Sequence, residues 1–138
     1  MLNLLGYKMK KDYKIWTPIK TQINNNESYP VGFRERDVWI CNIGENVGFE
    51  EDGKGGDFTR PVLILKVFNR KFCHVVPLST TDRRGRYYYP FDGKTGKTSV
   101  AILSQSRSVD ATRLHEKVGK ISKEDFEKTK KQIIELIF

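Results

Sequence analysis

A chain of 138 residues holds one domain with a real core and is too short for two ordinary ones, so one site per subunit is expected. Its hydrophobic fraction of 38% is that of a globular protein, and no run approaches the roughly 18 apolar residues of a membrane span. Twenty-five Lys+Arg against 17 Asp+Glu leave a net charge of +8, which favours a partner rich in phosphate or carboxylate.

The opening stretch Met1 to Lys11 places apolar residues before its lysines and has no small-residue cleavage site, the reverse of a secretory signal. A cytoplasmic location is therefore the default expectation. Residues 1–33 read as an N-terminal extension that ends in a polar run, Asn24 to Ser28, before Pro30. Within it Thr17 and Pro18 suit a helix N-cap and first helical residue, with Ile15, Ile19 and Ile23 on one face. A short amphipathic helix and a mobile arm are both compatible with that pattern.

Residues 34–138 form the domain proper. Asp37 to Cys41 is a β-branched and aromatic run that stops at Asn42 and Gly44, and so predicts a strand. From Glu45 to Thr59 the glycines at 48, 53, 55 and 56 and the alternating charges predict a flexible loop. Pro61 to Val67 and Phe72 to Leu78 are nearly continuous apolar strands, joined by a tight turn and directed into the core. A basic turn, Thr81 to Arg86, precedes the aromatic strand Tyr87 to Phe91, and a second turn runs from Asp92 to Gly96. Ser99 to Leu103 and Arg107 to Val109 add short strands, a density that suits a compact barrel. Ser122 and Asp125 form a capping box for a last helix, with Phe126, Ile133, Ile134 and Ile137 along one face. Cys41 and Cys73 lie inside strand-like runs and read as buried free thiols.

The usual catalytic sets are missing: no Cys-x-x-Cys, no paired histidines, no phosphate-binding glycine loop and no Gly-x-Ser-x-Gly elbow occur. Neither a metal nor a cofactor is expected. His74, in an apolar strand, and His115, in a polar connection before the last helix, have no companion ligand nearby and read as structural or solvated. Glu50, Glu51, Asp52 and Asp57 fit acid/base work, but within a glycine-rich loop a solvated role is the simpler reading. Arg60, fixed between that loop and Pro61, is placed to hold a phosphate with its planar fork, although an ordinary surface arginine also fits. Ser79, Thr80 and Thr81 bring hydroxyls to the end of the neighbouring strand, or simply close a turn. Arg83, Arg84 and Arg86 beside Tyr87 to Tyr89 offer cations and stacking faces for a single strand, or an ordinary half-buried sheet.

Several of these segments, in order, resemble the PemK/MazF toxin family. Arg36-Asp37-Val38-Trp39 is similar to its R-G-D-V-W strand, and Val47 to Glu50 with Thr59 to Ile64 to its V-G-x-E and T-R-P-V-L-I pair. Val75 to Thr80 is similar to the P-[LI]-T-S segment, and Ser99 to Asp110 to S-V-[AI]-L-x-x-Q-x-R-T-[VI]-D. Arg113-Leu114 and Lys117 to Ser122 fit the run into the last helix. The resemblance implies a mainly β fold, an SH3-like small barrel with a C-terminal helix, usually a homodimer. It also implies cleavage of single-stranded RNA across the dimer face, without a metal, and neutralisation by an acidic antitoxin laid over the same groove.

Carried onto this chain, the resemblance makes Arg60 and Ser79 the reacting pair and puts Phe49, Glu50, Thr59, Thr80, Ser104, Gln105 and Arg107 against the RNA. Serine at 79 replaces the usual threonine. A family variant with an arginine and an aspartate ahead of Q-x-R cannot operate, because those positions hold Ile102 and Ser104. The Gly53 to Asp57 insertion lengthens the loop expected to cover the RNA. A barrel that binds RNA, DNA or an acidic peptide without cutting is the alternative.

Overall fold

The computed structural model describes residues 10–92 and 98–138. Its elements, in chain order, are helix α1 (Tyr13–Asn25), strands β1 (Asp37–Asn42), β2 (Thr59–Asn69), β3 (Phe72–Ser79), β4 (Tyr88–Asp92), β5 (Thr98–Ile102), β6 (Arg107–Asp110) and β7 (Leu114–Lys120), and helix α2 (Lys123–Ile137). The strands form one antiparallel sheet in the order β4-β5-β3-β2-β1-β7. Strand β6 pairs with β3 off that path.

Strand β3 changes partner along its length. Its first half, Phe72 to Val75, pairs with β6, while Leu78 and Ser79 pair with β5. That exchange, with register shifts in the β2–β3 and β1–β7 pairings, bends the sheet around its contents. The expected SH3-like fold, mainly β with a C-terminal helix, is what the chain adopts.

Strands β2 and β3 are buried on both faces, which explains why they read as unbroken apolar runs. Val62, Ile64, Cys73 and Val75 point into one cluster with Trp39, Cys41, Val109 and Leu114. Leu63, Leu65, Val76 and Leu78 point into a second with Phe91, Ala101, Leu103 and Phe126. Alternation at a period of two sorts neighbouring residues between these cores. The two cysteines are free and buried, as expected. Burial pushes the Cys41 thiol up to about 12 and the Cys73 thiol up to about 11.

Four expectations need correction. Helix α1 forms, but it begins a turn earlier than Thr17-Pro18 indicates: Asp12 is its N-cap, its carboxylate accepting from the Ile15 N–H, and Pro18 lies inside. The cause is Trp16, whose burial anchors the first turn, so that Trp16 faces inward and Ile15 outward. In α2, Ser122 caps as expected by accepting from the Asp125 N–H, yet Ile134 and Ile137 are exposed. The packed face carries Phe126, Ile133 and Leu136 instead. His115 lies in β7, not in an irregular connection. Finally, the Glu45 to Thr59 segment is irregular but tied down. Gly44 N–H donates to the Phe58 carbonyl at 3.1 Å, Gly53 N–H to that of Gly44 at 2.8 Å, and Lys54 and Thr59 exchange two backbone bonds. The expected turn from Asp92 to Gly96 lies largely outside the described residues.

Candidate active site

Arg60 is the second residue of β2, opposite Cys41 of β1, and Ser79 closes β3 opposite Val100 of β5. Because Val62 pairs with Pro77 in an antiparallel register, the residues two before and two after those positions meet at the same end of the sheet. Arg60 and Ser79 are thereby brought together. They line one cavity of about 350 Å³ with Thr59, Thr80, Lys54 and Lys120.

Arg60 is not a surface residue: it is 5% exposed. Its Nε donates to the Asp52 carbonyl at 2.9 Å, its Nη1 to the Leu78 carbonyl at 3.1 Å, and its Nη2 meets Glu51 Oε1 at 2.8 Å. A guanidinium has five N–H donors, so two, one on each terminal nitrogen, have no partner among the described residues. Burial pushes Arg60 below the usual arginine range while the Glu51 carboxylate opposes that shift, and Arg83 adds a further lowering. Arginine starts so far above neutrality that the group remains a cation.

Ser79 is 4% exposed, and its hydroxyl oxygen accepts from the Thr81 N–H at 3.1 Å. That bond uses one of its two lone pairs and leaves the hydroxyl hydrogen free to rotate towards a partner. Thr80 is exposed and Thr59 half-buried at the same rim.

The other residues indicated by the sequence gather on the far side of Arg60. Phe49, Glu50, Ser104 and Gln105 line a hollow with Arg83 and Tyr88, in which the Arg83 guanidinium lies 5.8 Å from the Tyr88 ring centroid. Arg107 lines an adjoining one with Glu50 and Gln105. Gln105 works on the loop: its Oε1 accepts from the Glu51 N–H at 3.0 Å and its Nε2 donates to the Phe49 carbonyl at 3.0 Å. Glu50 does not face Arg60; its carboxylate accepts from the Val47 N–H at 2.9 Å and closes a local turn.

Glu51 is the residue that sequence reasoning missed, since it reads as one of several solvated loop carboxylates. Its side chain is largely covered and bridges the two groups of residues through Arg60. Asp52 is likewise engaged, its Oδ2 meeting Lys11 Nζ at 2.7 Å. Lys54 and Lys120 were also unmarked: Lys54 is set beside Arg60 by the backbone bonds that Lys54 exchanges with Thr59, and nothing in the sequence places β7, which carries Lys120, beside β1. His74 and His115 are elsewhere: His74 Nδ1 pairs with Ser108 Oγ at 2.8 Å, and His115 Nε2 bonds the Asn42 amide oxygen. Among the described residues no group of three His, Cys, Asp or Glu is placed to hold a metal ion.

The family model described as PemK-like, MazF-like toxin of type II toxin-antitoxin system matches residues 34–137. The chain belongs to this family. A MazF from Deinococcus radiodurans is similar in structure with a TM-score of 0.60 at 16% identity, over 80% of this chain and 98% of that one. The Mycobacterium tuberculosis toxin MazF-mt6 gives 0.55 at 20% identity, over 71% and 92%. A mycobacterial endoribonuclease solved in complex with its cognate antitoxin gives 0.54 at 15%, over 75% and 93%. No curated protein matches the chain by sequence. The family match begins at residue 34, so α1 lies ahead of the region matched.

Proposed function

We propose that the protein is the toxin of a toxin-antitoxin pair, a metal-independent, sequence-selective endoribonuclease that cleaves single-stranded RNA in the cytoplasm. The observation that carries this reading is Arg60, a buried guanidinium that lines one cavity with Ser79. A preorganised cation of this kind stabilises charge as it builds on a phosphorus centre and needs no reorganisation when it does.

In the proposed reaction the substrate's 2′-oxygen bonds to the adjacent phosphorus, and the bond from phosphorus to the 5′-oxygen breaks. The products are a 2′,3′-cyclic phosphate and a 5′-hydroxyl. Arg60 holds the phosphorane charge and Ser79 donates to a phosphate oxygen. The 2′-hydroxyl proton passes to Glu51, whose carboxylate lies 2.8 Å from Arg60, and the departing 5′-oxygen takes a proton from solvent. Arginine itself is too basic to serve as the acceptor at neutral pH. Phe49, Tyr88 and Arg83 offer stacking and cationic surfaces to flanking nucleotides. An acidic antitoxin peptide would compete for the same basic groove, and a homodimer is the assembly proposed.

The test is incubation with a long single-stranded RNA in excess EDTA, followed by mapping of cut positions and end groups. Discrete cuts with cyclic phosphate and 5′-hydroxyl ends, lost in Arg60→Ala, are expected. Binding without cleavage across several RNAs would instead identify a non-catalytic module that holds nucleic acid or an acidic peptide.

A further inference from the structure

The segment ahead of the family-matched region reaches the active-site loop at four points. Lys11 Nζ meets Asp52 Oδ2 at 2.7 Å, with the two side chains 8% and 15% exposed. Asp12 N–H donates to Glu45 Oε2 at 2.8 Å, and the Tyr13 hydroxyl donates to the Asn46 carbonyl at 2.7 Å. Trp16 is buried with its ring centroid 5.6 Å from that of Phe58, and it lies so close over Gly44 that a Cβ there would come within 2.2 Å of the indole. Every one of these contacts falls between Gly44 and Phe58.

The opposite side of the same loop serves Arg60. Glu51 supplies its carboxylate, and Asp52 supplies the carbonyl that accepts from Arg60 Nε. Asp52 is the joint between the two sides: its carbonyl faces Arg60, its Oδ2 faces Lys11, and its Oδ1 accepts from the Asn46 N–H at 2.7 Å. A largely desolvated ion pair contributes little net stability, because desolvation offsets most of the attraction. The Lys11–Asp52 pair is therefore better explained by the geometry that it fixes than by the stability that it adds.

We propose that the N-terminal segment is a positioning part of the active site, in which Lys11 and Trp16 hold the loop so that Glu51 and the Asp52 carbonyl meet Arg60. The kinetic consequence rests on the endoribonuclease reading; the structural one does not. Without the clamp the loop samples other arrangements, Arg60 loses two of its three partners, and the fraction of molecules ready for catalysis falls. Lys11 and Trp16 touch no reacting atom in this scheme and act through Asp52 and Phe58.

The experiment uses the full chain with Lys11→Met, Lys11→Arg, Trp16→Phe and the exposed control Lys14→Met. Hydrogen exchange over residues 44–58 is read beside RNA-cleavage kcat and KM. Lys11→Met is expected to speed exchange in the loop while leaving β2 and β3 protected. Its kcat should fall about tenfold or more with KM changed less than about twofold, the mark of a misplaced catalytic group and not of lost binding. Trp16→Phe should move in the same direction, Lys11→Arg should restore both readouts, and Lys14→Met should change neither. Unchanged loop exchange and unchanged kcat in Lys11→Met and Trp16→Phe would overturn the proposal. If the unaltered protein cuts no RNA, the exchange data still decide the clamp, and only the endoribonuclease reading fails.

Discussion

Arg60 keeps its orientation because three acceptors from two segments hold it: the Glu51 carboxylate and the Asp52 carbonyl of the loop, and the Leu78 carbonyl of β3. A lysine keeps the charge but not the planar fork, so Arg60→Lys is expected to lose about 100-fold or more in kcat, measured under single-turnover conditions. Glu51→Gln preserves shape and removes the proposed proton acceptor, and a fall in kcat of about 10²-fold is expected with KM little changed. A rise in kcat would mean that the carboxylate instead blocks Arg60 and must leave before a phosphate can bind. The sequence exposes Arg60 and Ser79 through the resemblance, since both sit in motifs with a fixed place on a strand. It does not expose Glu51, because which of three consecutive loop carboxylates turns inward depends on Gln105, more than fifty residues away, holding the Glu51 N–H.

At the scale of the elements, legibility follows burial. Strands β2 and β3 are covered on both faces and declare themselves as apolar runs, whereas β7 is an edge strand of mostly exposed polar residues with irregular pairing to β1, and its pattern carries no period-two signal. The start of α1 is set by Trp16 docking on the loop, a tertiary contact that overrides the local preference of Thr17-Pro18. That contact depends on Gly44, whose φ of +85° already disfavours any side chain. Gly44→Ala should therefore displace the indole and cost about 1–3 kcal/mol in urea unfolding. Strand β3 has its own signature in His74, which burial holds below the usual histidine range. The unfolded chain then takes up a proton near pH 6.5 that the folded ring resists, so this contribution is present above that pH and lost as pH falls below it. His74→Gln can keep a bond to Ser108 without titrating, and should flatten the acid limb of a plot of Tm against pH. An unchanged limb would place the acid sensitivity in other groups.

The whole molecule carries +8, and that charge says nothing of the fold but a good deal about a polyanionic partner. Part of it lies where a strand of RNA would run: Lys54 and Lys120 flank Arg60 and Ser79 in one cavity, while Arg83 serves the hollow beyond Glu51. For single strands the slope of log K against log salt falls by about 0.7 for each phosphate neutralised. Replacing both lysines by glutamine should therefore weaken RNA binding and reduce that slope by about 1.4, with the Arg60→Ala background used so that substrate survives the titration. Tyr88→Ala removes a stacking face but no charge, and should weaken binding while leaving the slope alone. The pair of variants separates two paths for the strand. A changed slope for the lysines with a parallel shift for the tyrosine means that RNA crosses both hollows with Arg60 between them. A slope insensitive to Lys54 and Lys120 would confine the RNA to the Phe49–Tyr88 side, and would remove Ser79 from the proposed reaction.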